Sequence, residues 1–166
     1  MLVVGVDVGT KNCAFAIVQV RSGAAAVIET TTIELSSFMR FNPVQSGRRI
    51  QRHLTQIIEQ YSVECVVVER QPFVALRDKG SAKATIINCA IEAQILALTI
   101  AKSISILRVA PTTWRRKWNL GSTTKSFSWY RKEWENTDRF QNIYDLSLTN
   151  DVHQVDAVLI AINDFF

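Results

Sequence analysis

Two short apolar runs, each ending on a carboxylate, constrain this chain more than any other feature. Leu2–Val8 is rich in valine and carries no charge before Asp7, then breaks at Gly9. The second run repeats the design, with Cys65, Val66, Val67 and Val68 leading into Glu69. Runs of this length and composition read as buried strands. An acid at the end of such a strand is costly to bury unless it is paired or faces a cation. Buried strands need buried neighbours, so 63–69 is expected beside 2–8. If the two run parallel, Asp7 and Glu69 emerge at one sheet edge. Gly9 allows a sharp turn or a close backbone approach to a ligand. Taken singly, Asp7 also reads as a turn residue, and His153 or Asp156 as a surface residue.

The remaining chain supplies the surroundings of these strands. Cys13–Val20 and Ala25–Leu35, joined at Arg21–Ser22–Gly23, complete a three-strand meander. Arg48–Tyr61 spaces Ile50, Leu54, Ile57, Ile58 and Tyr61 as one face of a helix. After Pro72 and the polar 77–80 stretch, a long helix is expected over Ser81–Ala101, apolar on more than one side. Ile104–Val109 reads as a strand stopped by Pro111, and Ser122 as the N-cap of a helix running to about Asn136. A last helix starts at Asp151 with Val155, Val158, Leu159 and Ile162 inward. Five strands and flanking helices make one α/β domain over residues 1–166. The apolar runs of the long helix are broken by Asn88, Glu92 and Gln94. No stretch of about 18 uninterrupted apolar residues is left, and no membrane span is expected.

Charge is segregated along the chain. Nineteen Lys and Arg against fifteen Asp and Glu give a net +4, but the placement says more than the sum. No acid lies between Glu92 and Glu133, where Lys102, Arg108, Arg115, Arg116, Lys117, Lys125, Arg131 and Lys132 fall. A second acid-free stretch carries Arg40, Arg48, Arg49 and Arg52, and beyond Glu133 the balance turns acidic. Two readings stand: a basic surface for a polyanion beside an acidic site, or ordinary solvated faces. Trp114, Trp118, Trp129, Tyr130 and Trp134, within the basic stretch, either stack on bases or fill a core. Cys13, Cys65 and Cys89 are odd in number and widely spaced. They read as buried thiols of a reducing, intracellular compartment, and no basic, apolar leader of a secreted protein precedes the first strand.

His153 and Asp156 are three apart on the last helix and share a face, with Asp151 able to join them if it is not occupied as a cap. Acids and an imidazole converging on one point repel each other, and a divalent ion is the simplest remedy. Oxygen donors with one His suit Mg²⁺ or Mn²⁺. Two such ions about 4 Å apart stabilise both the attacking and leaving oxygens of a phosphodiester.

In order and spacing, Gly5–Val6–Asp7–Val8–Gly9–Thr10–Lys11–Asn12, Glu69–Arg70–Gln71–Pro72 and His153–Gln154–Val155–Asp156–Ala157 resemble the motifs of RuvC-like Holliday junction resolvases. The second motif is most similar to the poxvirus and fungal mitochondrial branch. Gly121–Ser126 resembles a bacterial RuvC segment whose Lys opens a helix near the active site. The resemblance implies an RNase H-like fold with a mixed five-stranded sheet flanked by helices. It implies a metal-dependent homodimer making paired symmetric nicks in a four-way junction during recombination or replication. Asp7, Glu69, His153 and Asp156 would be catalytic and would hold two Mg²⁺ (or Mn²⁺) ions, His153 standing where some members carry Asp. The long helix would supply the dimer seam. Lys11, Arg70, Lys79, Lys83, Arg115, Arg116, Lys117 and Lys125 are candidate phosphate contacts. Phe73 either wedges into unstacked bases or packs on its own domain. The compact length looks more like a viral or phage member acting in a host cytoplasm.

Three rivals remain. The Asp-x-Gly-Thr opening also resembles the phosphate motif of sugar kinases and actin-like ATPases, but 166 residues and six glycines leave no room for a duplicated domain with a second Gly-rich motif. An RNase H-like nuclease acting on flaps or RNA–DNA hybrids is nearer. A junction-binding protein that does not cut is the third, and the intact acidic set argues against it.

Overall fold

The computed structural model describes residues 1–35, 42–71, 79–121 and 125–165, with the backbone alone for 79–81. Phe73 and Ser122 lie outside the described residues, as does the side chain of Lys79.

The strands are β1 (Leu2–Val8), β2 (Asn12–Arg21), β3 (Ala24–Glu34), β4 (Cys65–Glu69), β5 (Ser105–Val109) and β6 (Ile143–Tyr144). They form one sheet in the order β5-β4-β1-β2-β3-β6. The β1–β2–β3 meander is antiparallel, while β4 runs parallel to both β1 and β5. This is the mixed sheet expected, with one correction: the two-residue β6 adds a sixth strand beside β3. Two residues carry no readable period, so sequence pattern could not have signalled it.

Alternation along the strands divides the core in two. Val4, Val6, Val66 and Val68 face α1 (Pro43–Gln60) and α2 (Lys79–Ala101), which bring Ile50, Leu54, Ile87, Ile91 and Ile95. Val3, Cys65 and Val67 face α5 (Val152–Ala161), joined there by Trp114 of α3 (Pro111–Lys117) and Tyr130 of α4 (Phe127–Asn136). The aromatics of the basic stretch therefore pack into the domain: Trp114 and Tyr130 are buried, and Trp118, Trp129 and Trp134 lie against that core.

Local chemistry explains several helix starts. Asn42 caps α1 by accepting from the Gln45 N–H, and Pro43 takes the first helical position. That places the start five residues before the expected Arg48. Ser126, not Ser122, caps α4 through the Trp129 N–H. Asp151 caps α5 as expected. Cys13 and Cys65 are buried, but Cys89 is only partly so.

The long helix reads differently by average than by run length. Ala82–Ala101 has a mean hydropathy of 1.6 over its most apolar window, so by length and composition this helix could cross a bilayer. A polar residue interrupts a run without cancelling its average, which is why counting uninterrupted residues missed it. Only 28% of that window is buried in the domain. Ile87, Ile91 and Ile95 supply the inner face, and Glu92, midway along, is ion-paired to Arg108 of β5.

Candidate active site

The site forms where β1 and β4 end, and a glycine explains why α5 lies over it. Gly5 and Asp7 point to the same face of β1, since side chains alternate along a strand. A Cβ on Gly5 would stand 2.0 Å from the Ala157 carbonyl oxygen and 2.8 Å from the Ala161 Cβ. The bare glycine thus lets α5 lie against the strand backbone, and Asp156 and His153 come down beside Asp7. On the other side, parallel pairing of Val6 with Val68 puts Glu69 next to Asp7 at the same sheet edge. Four candidates from three separate parts of the sequence are brought to this edge.

Each acid has a first partner. His153 Nδ1 lies 2.9 Å from Asp7 Oδ2. Trp114 donates its indole N–H to Glu69 Oε1 at 3.0 Å. The Tyr130 hydroxyl donates to Asp156 Oδ1 at 2.6 Å, and Arg115 reaches Asp156 Oδ2 at 3.8 Å. Trp114 and Tyr130 are the site residues that sequence reasoning missed, and Arg115, expected as a phosphate contact, also approaches Asp156. Pro111 at a first helical position was a readable signal for α3, but nothing in spacing pairs an indole with a particular acid. Asp151 does not join the group. Its oxygens accept from the Gln154 N–H at 3.0 Å and from the Thr32 hydroxyl at 2.8 Å.

The electrostatics fit crowded acids. Burial first, and then the charge of Asp7, push Glu69 up to about 7, against the Trp114 hydrogen bond. Asp156 is likewise pushed up to about 7 by burial and by Asp7, against the opposing effects of Tyr130, Arg115 and His153. The hydrogen bond to Asp7 raises His153 above its ordinary value, opposed by desolvation. Desolvation, followed by Asp156, raises Tyr130 too, so it stays a neutral donor.

Three carboxylates and an imidazole are hard oxygen donors with one nitrogen, a set that suits Mg²⁺ or Mn²⁺. Two of the acids are costly to ionise, and a nearby cation lowers that cost. The donor chemistry fits a divalent ion. The spacing is more open than a closed cage, for among the described residues no three His, Cys, Asp or Glu side chains surround one point. Each acid is turned toward its own partner, His153, Trp114 or Tyr130.

The basic candidates separate. Lys11, Arg70 and Lys83 are exposed, and Lys125 sits over the Trp129 ring at 5.1 Å. The Arg115–Lys117 segment does not act as one face. Arg115 leans on Asp156 and the Trp114 ring, Arg116 is exposed, and Lys117 donates to the Asn163 carbonyl. Arg115 and Arg116, with Pro111, Thr112, Asn119 and Gly121, line a cavity of about 590 Å³ that adjoins the site through Arg115.

The family model described as the poxvirus A22 protein matches residues 1–79, a span holding both strand-end acids. Thermus thermophilus RuvC, in a complex with a Holliday junction substrate, superposes with a TM-score of 0.70 at 15% identity, covering 98% of this chain and 92% of that one. The chain has a RuvC-like fold. The yeast mitochondrial Holliday junction resolvase Ydc2 matches at a TM-score of 0.65 and 17% identity over 96% of this chain and 75% of that one. Fowlpox virus resolvase, in a complex with substrate Holliday junction DNA, matches at 0.53 and 14% identity over 99% and 97%. No curated protein matches in sequence. The family model thus matches the poxvirus protein over the first 79 residues alone, while the backbone superposes better on the bacterial protein than on the fowlpox one. At these identities the structures speak for the fold, and the fold that the motif resemblance implies is borne out.

Proposed function

We propose that this protein is a divalent-metal-dependent endonuclease that resolves four-way DNA junctions by paired symmetric nicks. The observation that carries the reading is the convergence of Asp7, Glu69, His153 and Asp156 at one sheet edge, with Glu69 and Asp156 both pushed up to about 7. A folded protein keeps acids in such a place when something positive is to meet them. Asp7, Glu69 and Asp156 would hold the ions, with His153 as a further donor or as the base. A divalent ion bound there supplies charge neutralisation at the scissile phosphate and makes water a better nucleophile at neutral pH.

The chain's own groups do the rest. Trp114 and Tyr130 fix one oxygen each of Glu69 and Asp156; the second oxygen of each would turn to an ion, that of Asp156 in exchange for Arg115, which lies 3.8 Å from it. Asp7 engages His153 Nδ1 and sets the ring's orientation, so Nε2 is the nitrogen left to take or give a proton. Arg115 and Arg116 bring positive charge from the site into the adjoining cleft, where a phosphate backbone would run. The RuvC and fowlpox relatives are each seen in complex with junction DNA, which favours a junction over other phosphodiesters here.

A homodimer follows from the same reading. The outer side of α2 exposes Ile86 and Ile100, 61% and 67% accessible, with Ala93 and Ala97 between them. Those positions share one helical stripe, and a second copy would cover it. Two-fold symmetry in the protein would then match that of the junction. Three free cysteines suit a reducing intracellular setting.

The test uses a labelled immobile four-way junction, with Mg²⁺ or with chelator, beside duplex, flap and RNA–DNA hybrid controls. Paired nicks in the junction alone, and only with metal, are expected. Binding without cutting would identify a junction-binding protein, and preferential cutting of hybrid or flap would keep the fold and change the substrate.

A further inference from the structure

The β1–β4 ladder ends at the Val6–Val68 pair, one residue short of the two acids. That pair aligns Asp7 with Glu69, and just beyond it a side chain bridges the two strand ends. Gln71, 8% exposed, aims Nε2 at the carbonyl oxygens of Val8 and Glu69, 3.4 Å from each. Each contact is long for an N–H···O bond, but together they link the residue after Asp7 to Glu69 itself.

Gln71 is in turn held from α2. Asn88 donates Nδ2–H to Gln71 Oε1 at 3.1 Å, and Glu92 Oε2 accepts the Gln71 backbone N–H at 3.1 Å. Glu92 is 3% exposed within a largely apolar helix, where an unpaired charge would be strongly unfavourable. Arg108 of β5 answers it, with Nε and a terminal nitrogen both 2.7 Å from Glu92 Oε1. If the acid served only to anchor helix to sheet, an apolar residue in its place would do as well. Its other oxygen instead reaches the backbone two residues past Glu69.

We propose that Gln71 and Glu92 are positioning residues for the reaction, a clasp from α2 that fixes the separation of the Asp7 and Glu69 strand ends. The clasp touches no reacting atom. It acts through geometry, which matters because a misplacement near 1 Å at a reacting centre can cost about 100-fold in rate. This deepens the nuclease reading and rests on it.

Gln71→Met keeps the volume and removes both polar ends, Glu92→Leu removes the acceptor, and Glu92→Gln keeps one. Single-turnover junction cutting is expected to slow by roughly 10–100-fold in Gln71→Met and Glu92→Leu, and by less than about threefold in Glu92→Gln. Junction Kd should stay within about twofold throughout, so the loss falls on the chemical step. Amide exchange reads the clasp without activity: the Gln71 N–H should be protected in the wild type and in Glu92→Gln, and exchange about tenfold faster or more in Glu92→Leu. If Glu92→Leu does not fold, Gln71→Met and wild-type exchange still decide. Wild-type cutting rates in Gln71→Met would overturn the proposal. So would a rate loss matched by weaker binding, or a Gln71 N–H that exchanges like an open loop. A wild-type protein that cuts no junction would sink the nuclease reading instead, leaving the exchange result to judge the clasp.

Discussion

Replacing Glu69 with Gln should stabilise the protein while ending its activity. Glu69 is pushed from an ordinary 4.5 up to about 7, chiefly by burial and then by Asp7. A carboxyl raised on folding holds its proton longer in the native state, so its stability contribution is full below about 4.5 and falls as pH rises toward 7. At pH 8 the ionised group costs the fold up to ~3 kcal/mol, at about 1.36 kcal/mol per pH unit. Because the acids titrate together, ~1–3 kcal/mol is the expected range. At pH 5 the same linkage gives under ~1 kcal/mol. The amide oxygen that Glu69→Gln introduces can still accept from Trp114, as Glu69 Oε1 does at 3.0 Å, so the substitution removes charge and keeps the hydrogen bond. The assay is urea unfolding in chelator at pH 5 and pH 8. With a slope of ~2 kcal/mol per molar, the Glu69→Gln midpoint should rise by ~0.5–1.5 M at pH 8 and by much less at pH 5. Junction cutting in Mg²⁺ should be lost. A variant destabilised equally at both pH values would refute the reasoning, since Glu69 would then be an ordinary structural acceptor for Trp114.

Asp7→Asn should abolish cutting with folding and junction affinity retained, checked by rate and gel shift; wild-type rates with contamination excluded would remove Asp7 from the mechanism. Arg116→Ala should weaken junction binding and reduce the salt slope of log K by about 1, measured by titration at several salt concentrations; an unchanged slope would make Arg116 a solvated surface residue. Gly5→Ala places a Cβ 2.0 Å from the Ala157 carbonyl oxygen, so α5 must move off β1. A loss of ~2 kcal/mol or more in unfolding free energy together with lost cutting is expected, and an unaffected variant would show that α5 is not seated through Gly5. Tyr130→Phe deprives buried Asp156 of its 2.6 Å donor and should cost ~1–3 kcal/mol by denaturant melting, and more at pH 8 than at pH 5 as Asp156 ionises.

What the sequence disclosed follows from which signals are one-dimensional. An apolar run closed by an acid can be read along a line, so β1, β4, Asp7 and Glu69 are legible, and burial fixes their pairing because buried strands need buried neighbours. His153 and Asp156 are legible because a helix repeats every three to four residues. Their arrival over Asp7 depends on the missing side chain at Gly5, whose importance emerges only when Ala157 is seen against it. Trp114 and Tyr130 are visible as aromatics, yet which acid each meets depends on how α3 and α4 are carried across the sheet. Glu92 shows the limit best. Along the chain it interrupts an apolar helix and argues only against a membrane span; in the fold it is paired with Arg108 and holds the backbone beside Glu69. A polar residue that breaks a pattern marks the place where the pattern yields to something else, and only its neighbours in space say what that is.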